Sequence, residues 1–497
     1  MFGQRIHSNE STTTTTTTSS TTINLIITGS SIVLSLYYIQ RILSVTKTSQ
    51  SSTNYSEQAA TTNTNNTNNN MNDTNKLMRR RKIHKSVLDQ IGNTPLMKIE
   101  SLSKLTGCTI FIKCEYLNPG GSVKDRVALQ IIKEAIERKK LNANGLITEG
   151  TAGSTGVSLA MVASVLGLNC HVVMPDDAAM EKSAQVIAYG ATVERVRPVS
   201  ITNEEHFVNI AKNRAEEMNK LNGEGAGYFA DQFENLANFR AHYNGTGKEI
   251  YEQTFDEKGG GNILDAFICA SGTGGTLAGC AAYLQKMNPR IKCYAADPQG
   301  SGIYNKVTRG VMFSTVEREG TRKRNPYDTI TEGVGINRIT KNNALVLEPE
   351  IAKAKLSGAY QVTDAQAVAM SRWLCARDGV FLGSSSAVNL CAAVMLAKDL
   401  GEGKVICTIA CDSGSRHLSK FWNSSVLSKH EGLTAAAQFG ADLDLLPSEF
   451  LENLLANKCY IFSTDAFTSS PMLLKAKRLF LDKREKFEEA EEEFLVY

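Results

Sequence analysis

Beyond residue 83, short apolar runs alternate with stretches of helical periodicity, and this alternation is the feature that most constrains the fold. The strand-like runs are 108–117, 145–150, 169–175 and 191–196, and the helix-periodic segments between them are 126–140, 155–167 and 181–190. Strands that alternate with helices of about 10–15 residues predict an α/β fold with parallel sheets. Ligands bind such sheets beyond the carboxyl ends of the strands. We therefore look for functional residues at the strand-to-helix turns.

Size, charge and cysteine usage narrow the function classes. A chain of 497 residues, 42% of them hydrophobic, exceeds one compact core and predicts two or three lobes. The net charge of +3 gives no concentrated basic surface, so we expect no nucleic-acid partner. The 11 cysteines include no C-x-x-C pair and lie mostly in apolar runs. This pattern predicts buried, reduced thiols and no zinc or other metal site.

The first 82 residues differ in composition from the rest. Residues 11–22 are all Thr and Ser, and 46–76 are rich in Ser, Thr and Asn. Such tracts bury too little apolar surface to fold, so we expect a disordered tail over 1–22 and a disordered linker over 41–82. The uncharged stretch between them approaches the length of a bilayer span. The sequence thus predicts a transmembrane anchor over 23–40.

Two other interpretations of the apolar segment stay open. It resembles the core of a cleaved signal peptide, although a threonine tract separates it from Arg5, whereas a signal peptide places its positive charge next to the apolar run. It could also be a hydrophobic accident of low-complexity sequence. If it is an anchor, the positive residues that follow it, such as Arg41, Lys47 and the "RRRK" at 79–82, favour a catalytic part on the cytosolic side.

The stretch "SGTGGTLAG", residues 271–279, follows a predicted strand and opens a predicted helix. Glycines there let the backbone approach an anion, and the helix N-terminus offers unpaired N–H groups. The residues of this candidate phosphate cradle are Gly272, Thr273, Gly274, Gly275 and Thr276. The spacing matches neither a P-loop nor G-x-G-x-x-G. The alternative is an ordinary glycine turn.

Lys124 lies in "NPGGSVKDRVA", residues 118–128, between a glycine turn and a predicted helix. A helix N-terminus is electrostatically unfavourable for a cation, and a buried lysine with a lowered pKa can form a Schiff base. Together with a phosphate cradle on another turn, this lysine indicates pyridoxal phosphate as the cofactor. The alternative is a surface lysine.

These segments are parts of a longer series of motifs. In order, they are "IGNTPLMKI" (91–99), "NPGGSVKDR" (118–126), "GTAGSTGVSLA" (150–160), "DQFENLAN" (231–238), "GTGGTLAG" (272–279), "EGVG" (332–335), "GSSSA" (383–387) and "CDSGSRHLS" (411–419). The series closely resembles that of the cysteine synthase/cystathionine β-synthase family and covers roughly residues 83–425. The resemblance implies a fold-type II enzyme, with two parallel-sheet α/β lobes and pyridoxal 5'-phosphate between them. The complete arrangement resembles fungal cysteine synthase-like proteins of the mitochondrial outer membrane.

The resemblance also implies roles for single residues. Lys124 would hold the cofactor aldehyde and move protons at the substrate α-carbon, and residues 272–276 would bind the phosphate. Ser413 would hydrogen-bond the pyridine nitrogen, although a carboxylate partner in Asp412 stays open. A hydroxyl partner does not enforce a protonated ring, which suits elimination of a β-leaving group better than transamination.

The substrate loop departs from the family pattern. The resemblance assigns substrate binding to Thr151, Gly153, Thr155 and Gln232. The family reads Thr-Ser-Gly-Asn-Thr where this chain has Ala152 and Ser154 within 151–155. The resemblance places Ser154 among the cofactor-binding residues. It replaces an asparagine that touches both cofactor and substrate, so we expect a changed substrate preference or rate. Losing one polar contact of this kind costs about 1–3 kcal/mol.

The expected activity is β-replacement, with O-acetylserine and a sulfur nucleophile, sulfide, giving cysteine, in a homodimer as the family resemblance implies. Cystathionine β-synthase-like, desulfhydrase or dehydratase chemistry, and an inactive cofactor-binding membrane scaffold, stay open as alternatives. Residues 306–328 look like an insertion, either a solvated loop or a basic site for an acidic partner. The C-terminal extension 426–497 is too short for paired regulatory domains, and we expect its charged part, 483–493, to be a solvated helix face.

Overall fold

The computed structural model describes residues 84–256, 259–314 and 329–459. The predicted tail, anchor and linker (1–82), most of the insertion (315–328) and the end of the C-terminal extension (460–497) lie outside the described residues. Within those three ranges, no helix has the length and apolarity that a bilayer crossing requires.

Twelve strands form in the described ranges. They are β1 (Leu96–Lys98), β2 (Thr109–Cys114), β3 (Leu146–Gly150), β4 (Asn169–Pro175), β5 (Thr192–Val196), β6 (Gly227–Phe229), β7 (Phe255–Asp256), β8 (Gly261–Asn262), β9 (Ala266–Ala270), β10 (Lys292–Pro298), β11 (Leu356–Val362) and β12 (Val405–Ala410).

The α-helices of the same ranges run from α1 to α15. They are α1 (Glu100–Thr106), α2 (Lys124–Glu137), α3 (Ser154–Leu166), α4 (Met180–Ala188), α5 (Phe207–Asn222), α6 (Ala237–Ala241), α7 (Gly247–Gln253), α8 (Gly275–Met287), α9 (Ile303–Arg309), α10 (Lys341–Leu347), α11 (Asp364–Asp378), α12 (Ser384–Leu400), α13 (Ser424–Leu427), α14 (Leu433–Ala441) and α15 (Pro447–Leu455).

Two sheets organise the molecule. The larger has the order β1-β2-β12-β9-β10-β11, parallel except for β1, and the smaller has the order β5-β4-β3-β6, parallel throughout. The chain leaves the large sheet after β2, builds the small sheet through β6, and returns to the large sheet at β9. Helix α2 carries the chain across, so its first residues stand where the two lobes meet.

Local sequence explains the main helices. In α2, the apolar residues Val127, Ile131 and Ala135 recur every fourth position and are all buried, which is the pattern of a helix with one face on a core. Helix α11 begins with a capping box in which Thr363 and Gln366 exchange side-chain and backbone hydrogen bonds. Helix α11 is buried along most of its length, because other helices cover it.

The described part of the C-terminal extension belongs to the core of the large lobe. Helices α14 and α15 pack on α11, where the ring of Phe450 stacks on Trp373 with centroids 4.1 Å apart. A Cβ on Gly440 of α14 would come within 2.0 Å of the Ala369 carbonyl oxygen of α11, so the backbones of α14 and α11 are in direct contact. Residues 426–459 thus cover an apolar face of the catalytic region.

The predicted fold class is confirmed in its main part: the chain is α/β with two parallel sheets in separate lobes. The strand predicted at 169–175 is present with those bounds as β4. All eleven cysteines are free, and nine of them are buried, as their positions in apolar runs predict.

Candidate active site

One cavity of about 670 Å³ is lined by residues that follow strands of both sheets. This volume is in the range of small-molecule sites. The predicted site residues that line it are Lys124, Thr151, Gly153, Ser154, Thr155, Gln232, Gly272, Thr273, Gly274 and Thr276. The structure therefore brings the candidate lysine, the glycine-rich turn and the substrate loop to the same space.

The turn at 272–276 follows β9 and opens α8. Gly274 is the N-cap of this helix with φ +97°, a left-handed conformation that favours glycine. A Cβ on Gly272 would come within 2.6 Å of the Gly333 carbonyl oxygen, and one on Gly275 within 1.9 Å of Asn238 Oδ1. Gly275 itself is not among the lining residues; its small size allows Asn238 to approach the turn.

Neutral side chains hold the two threonines of this turn. Asn238 Nδ2 donates to Thr273 Oγ1 at 2.9 Å, and Thr276 Oγ1 lies 3.2 Å from His242 Nε2. Burial lowers the pKa of His242 well below its usual value, so the imidazole is neutral. His242 belongs to a π-helical turn at His242–Thr246, a form that is frequent at functional sites. The turn thus offers backbone N–H groups and oriented hydroxyls without a charged side chain.

Lys124 is the first residue of α2. Its backbone N–H donates to Ser122 Oγ at 3.2 Å, and the Val123 N–H donates to the Cys411 carbonyl at 2.9 Å, which ties this segment to the end of β12. Burial lowers the pKa of the Lys124 amine, and the nearby Asp412 carboxylate opposes that effect. An enclosed amine with a lowered pKa can act as a nucleophile or a base near neutral pH.

The substrate loop places Gly153 at the N-cap of α3 with φ +142°. A Cβ there would come within 2.1 Å of Lys182 Cδ, so glycine is needed for space as well as conformation. Thr151 Oγ1 accepts the Gly153 N–H at 3.2 Å, and Thr155 Oγ1 donates to Gln232 Oε1 at 2.6 Å. The loop aims the first N–H groups of a 13-residue helix at the cavity, which suits a carboxylate.

Glu149, near the end of β3, holds Gln232 in place through two hydrogen bonds and does not itself line the cavity. Gln232 donates to it from Nε2 at 3.2 Å and from its backbone N–H at 3.3 Å. Burial raises the pKa of Glu149 to about 8. The amide oxygen of Gln232 is therefore turned to Thr155 and its nitrogen to Glu149. Glu149 was missed at the sequence level, since it lies one residue before the quoted motif.

Ser154, which stands in place of the family asparagine, makes a polar contact of its own. Its Oγ donates to Asp412 Oδ2 at 3.5 Å across the cavity floor. The expectation of a lost polar group therefore omitted a partner that the sequence pattern did not reveal.

Ser413, the residue predicted to hydrogen-bond the pyridine nitrogen, is not among the residues that line the cavity. After β12 the chain turns into a short 3₁₀ helix, and the Ser413 hydroxyl caps that helix by accepting from the Ser415 N–H and hydroxyl at 3.3 and 3.0 Å. Asp412 and Cys411 face the cavity instead, together with Ser385 in the first turn of α12. The "GSSSA" motif carries the signal that could have identified Ser385.

A cluster of charged residues forms part of the cavity wall. Glu332 accepts from Lys182 Nζ at 2.5 Å and from Lys420 Nζ at 3.0 Å, and all three line the cavity. The "EGVG" motif located Glu332, but the lysines come from separate parts of the chain. Across the described ranges, no cluster of His, Cys, Asp and Glu side chains has the geometry to hold a metal ion.

Comparison with known proteins agrees with this geometry. The pyridoxal-phosphate dependent enzyme family matches residues 87–412. Cysteine synthase 2 of Neurospora crassa is 52% identical over 338 residues, which cover 67% of this chain and 72% of that protein. A Saccharomyces cerevisiae protein with a provisional description as a mitochondrial cysteine synthase is 48% identical over 363 residues, 72% of this chain and 89% of that protein.

Among solved structures, the O-acetylserine dependent cystathionine beta-synthase from Helicobacter pylori superimposes with a TM-score of 0.55 at 30% identity. The match covers 68% of this chain and 98% of that one. The family match extends over more than half of the sequence and includes the lysine, the glycine-rich turn and the substrate loop. This chain belongs to the family of pyridoxal-phosphate-dependent enzymes.

Proposed function

We propose that this chain catalyses β-replacement: O-acetylserine and sulfide give cysteine and acetate. The observation that carries the proposal is that Lys124, the turn at 272–276 and the N-terminus of α3 line one cavity. Relatives about half identical in sequence are named cysteine synthases, which supports the same chemistry here.

The residues present suit pyridoxal phosphate. The turn at 272–276 supplies backbone N–H groups, two oriented hydroxyls and glycines whose Cβ positions are already occupied, as a phosphate site requires. Lys124 would bind the aldehyde. When bound, the cofactor supplies an electron sink for negative charge at the substrate α-carbon.

Ser385 is the best candidate for the partner of the pyridine nitrogen. It is 5% exposed, lines the cavity, and its hydroxyl lies within reach of the Cys411 thiol. Burial raises the pKa of Cys411 to about 11, so that thiol stays neutral. A neutral hydroxyl at this place keeps the ring a mild electron sink, which favours elimination of a β-leaving group.

Lys124 would also serve as the acid–base group. Because burial lowers its pKa, the released amine can take the proton from the substrate α-carbon and return it after the nucleophile has added. The substrate carboxylate would bind the N-terminal amides of α3 with Thr151, Gly153, Thr155 and Gln232 around it. Ser154 then lies between the substrate and Asp412.

Product analysis tests this function. The purified protein, loaded with pyridoxal phosphate, is given O-acetylserine with sulfide, with homocysteine or with no added nucleophile. We expect cysteine with sulfide as the fastest reaction. Faster cystathionine formation from homocysteine would favour the alternative cystathionine β-synthase-like activity. Formation of pyruvate and ammonia from serine, supplied in place of O-acetylserine with no nucleophile, would favour dehydratase chemistry. Bound cofactor without turnover on any substrate would favour a scaffold.

We further propose that residues 23–40 anchor the protein in the mitochondrial outer membrane with the catalytic part in the cytosol, and that it works as a homodimer. The uncharged segment, the positive residues after it and the provisional mitochondrial assignment of the S. cerevisiae relative support the anchor. The homodimer is what the family resemblance implies. Deleting residues 1–45 should release the protein from membranes while it still binds the cofactor. Recovery of the full chain in the soluble fraction of a cell extract would contradict the anchor.

A further inference from the structure

His417 is a buried histidine that the proposed catalytic roles do not use. It is 1% exposed and lies behind the cavity wall in the 3₁₀ turn after β12. Its Nε2 is 2.9 Å from Asp412 Oδ2, and its Nδ1 is 3.4 Å from Glu332 Oε2. Both carboxylates line the cavity, whereas His417 does not.

The surrounding chain is shaped to admit this pair. A Cβ on Gly383 would come within 2.1 Å of Asp412 Oδ1 and 2.6 Å of His417 Nε2. Glycine at 383 thus leaves the space that the carboxylate and the imidazole fill. Such close packing fixes the Asp412 side chain in one orientation.

The charged groups around His417 come from four parts of the chain. Asp412 and Arg416 are near it on its own turn, and Glu332 faces it from the loop before α10. Two lysines reach this group through Glu332: Lys182 of α4 and Lys420 each form an ion pair with the Glu332 carboxylate. Asp412 is hydrogen-bonded to His417. The same carboxylate opposes the lowering of the Lys124 pKa and accepts a hydrogen bond from Ser154.

We propose that His417 is a positioning residue that acts through Asp412: as an imidazolium between two carboxylates, it holds Asp412 ionised and oriented toward Lys124 and Ser154. This inference rests on the proposed role of Lys124 as the cofactor-binding lysine. The His417–Asp412 pair thus places a fixed negative charge in the cavity beside Ser154, the residue that stands in place of the family asparagine.

Electrostatics support the geometry. Burial by itself would raise the pKa of Asp412, but His417, Lys182 and Arg416 together lower it to about 2. Burial would lower the pKa of His417, and the two carboxylates raise it above its usual value. Without the imidazolium, the buried Asp412 carboxylate would bind a proton at higher pH, because burial can shift a carboxyl pKa upward by as much as about 3–5 units.

The experiment compares the His417→Gln, Asp412→Asn and His417→Gln/Asp412→Asn variants with the wild-type holoenzyme. His171→Gln is the matched control, since His171 pairs with Glu194 on the outside of β4, away from the cavity. The readouts are the pH titration of the visible absorbance of lysine-bound pyridoxal phosphate and the pH profile of kcat/KM.

We expect no acid transition above about pH 4 in the wild type or the control, because Asp412 stays ionised there. His417→Gln should introduce one that lies about 2–4 pH units above the wild-type carboxyl pKa. That transition should vanish in the double variant, which should match Asp412→Asn. An unchanged His417→Gln titration, or an acid transition that persists in the double variant, would overturn the proposal. Absence of a lysine-bound absorbance in the wild type would instead refute the proposed role of Lys124.

A second measurement needs no substitution at the site. In ¹⁵N-histidine-labelled wild-type protein, one imidazole should stay doubly protonated to a higher pH than free histidine does. If every imidazole lost its second proton at or below the pH at which free histidine does, the proposal would be contradicted even if the His417→Gln variant failed to fold.

Discussion

Two glycine-rich strand-to-helix turns face each other across the cavity, and they are built differently. The turn at 272–276 is held by neutral groups, Asn238 and His242, and keeps the family spacing. The loop at 151–155 departs from the family pattern and is held by ionisable groups, with Asp412 on Ser154 and Glu149 behind Gln232.

This difference suggests a division of labour. A phosphate is the same in every enzyme that uses the cofactor, so its turn needs only N–H groups, hydroxyls and space. The substrate varies between enzymes, and its loop is the place where residues change. Variants on the two turns should therefore separate cofactor affinity from substrate kinetics.

The largest effect is expected for Lys124→Ala, which removes the amine proposed to bind the cofactor and to transfer the substrate proton. The lysine-bound absorbance should disappear, and turnover should fall by at least about 10²–10⁴, the usual contribution of a positioned acid–base group. Cofactor should still be retained through the turn at 272–276. Absorption spectra and product assays measure both. Persistence of a lysine-bound spectrum would place the reactive lysine elsewhere.

Gly274→Ala should separate the two turns most clearly. An Ala Cβ would meet the Asn343 backbone nitrogen at 2.5 Å on top of a left-handed φ of +97°, which costs roughly 1–3 kcal/mol. We expect weaker cofactor binding by about 5- to 150-fold, with the KM for O-acetylserine little changed at saturating cofactor.

The control for that variant is Gly190→Ala, which has φ +83° but nothing within 4 Å of the added Cβ. It should lower stability without changing cofactor affinity, which fluorescence titration of the apoenzyme measures. Equal losses of cofactor affinity in both variants would show that backbone strain, and not the phosphate site, is responsible.

Ser154→Asn and Ser154→Ala examine the opposite turn. Removing the hydroxyl in Ser154→Ala should lower kcat/KM for O-acetylserine by about 2- to 10-fold, the worth of one hydrogen bond. Ser154→Asn keeps a donor for Asp412 and should raise turnover or shift substrate preference. Neither should alter cofactor affinity. A large change in cofactor affinity with unchanged substrate kinetics would reverse the division between the turns.

The smallest effect concerns Glu149 and pH. Its folded-state pKa of about 8 is above its ordinary value of 4.5, so the folded state binds the proton more tightly than the unfolded state. Its stability contribution is therefore fully present below pH 4.5 and is lost as pH rises to about 8. Glu149→Gln should raise the Tm relative to wild type by an amount that grows over this window.

Glu137→Gln, an exposed change at the end of α2, is the control for this pH effect and should show no such trend. Thermal melts from pH 5 to 8.5 would decide. A Tm difference between Glu149→Gln and wild type that stays constant with pH would mean that Glu149 does not titrate in this range.

The sequence predicts the parallel sheets and most of the lining residues because both depend on local patterns. Apolar runs followed by helical periodicity indicate strand and helix, and the strand-to-helix turns meet wherever parallel strands end. The sequence does not separate Asp412, Ser413 and Ser415, because all three carry polar groups and the turn geometry decides which of them faces the cavity. His417 and Lys182 are separated in sequence from their partner Glu332, so their contacts follow from tertiary packing.

The most direct measurement of the central claim is a crystal structure of the protein with pyridoxal phosphate bound. We predict the phosphate on the backbone of residues 272–276, the aldehyde carbon bonded to Lys124 Nζ, and the ring nitrogen on the Ser385 hydroxyl, with the loop at 151–155 left open for a carboxylate. A phosphate bound at the N-terminus of α3, or a cofactor joined to another lysine such as Lys182, would contradict the account.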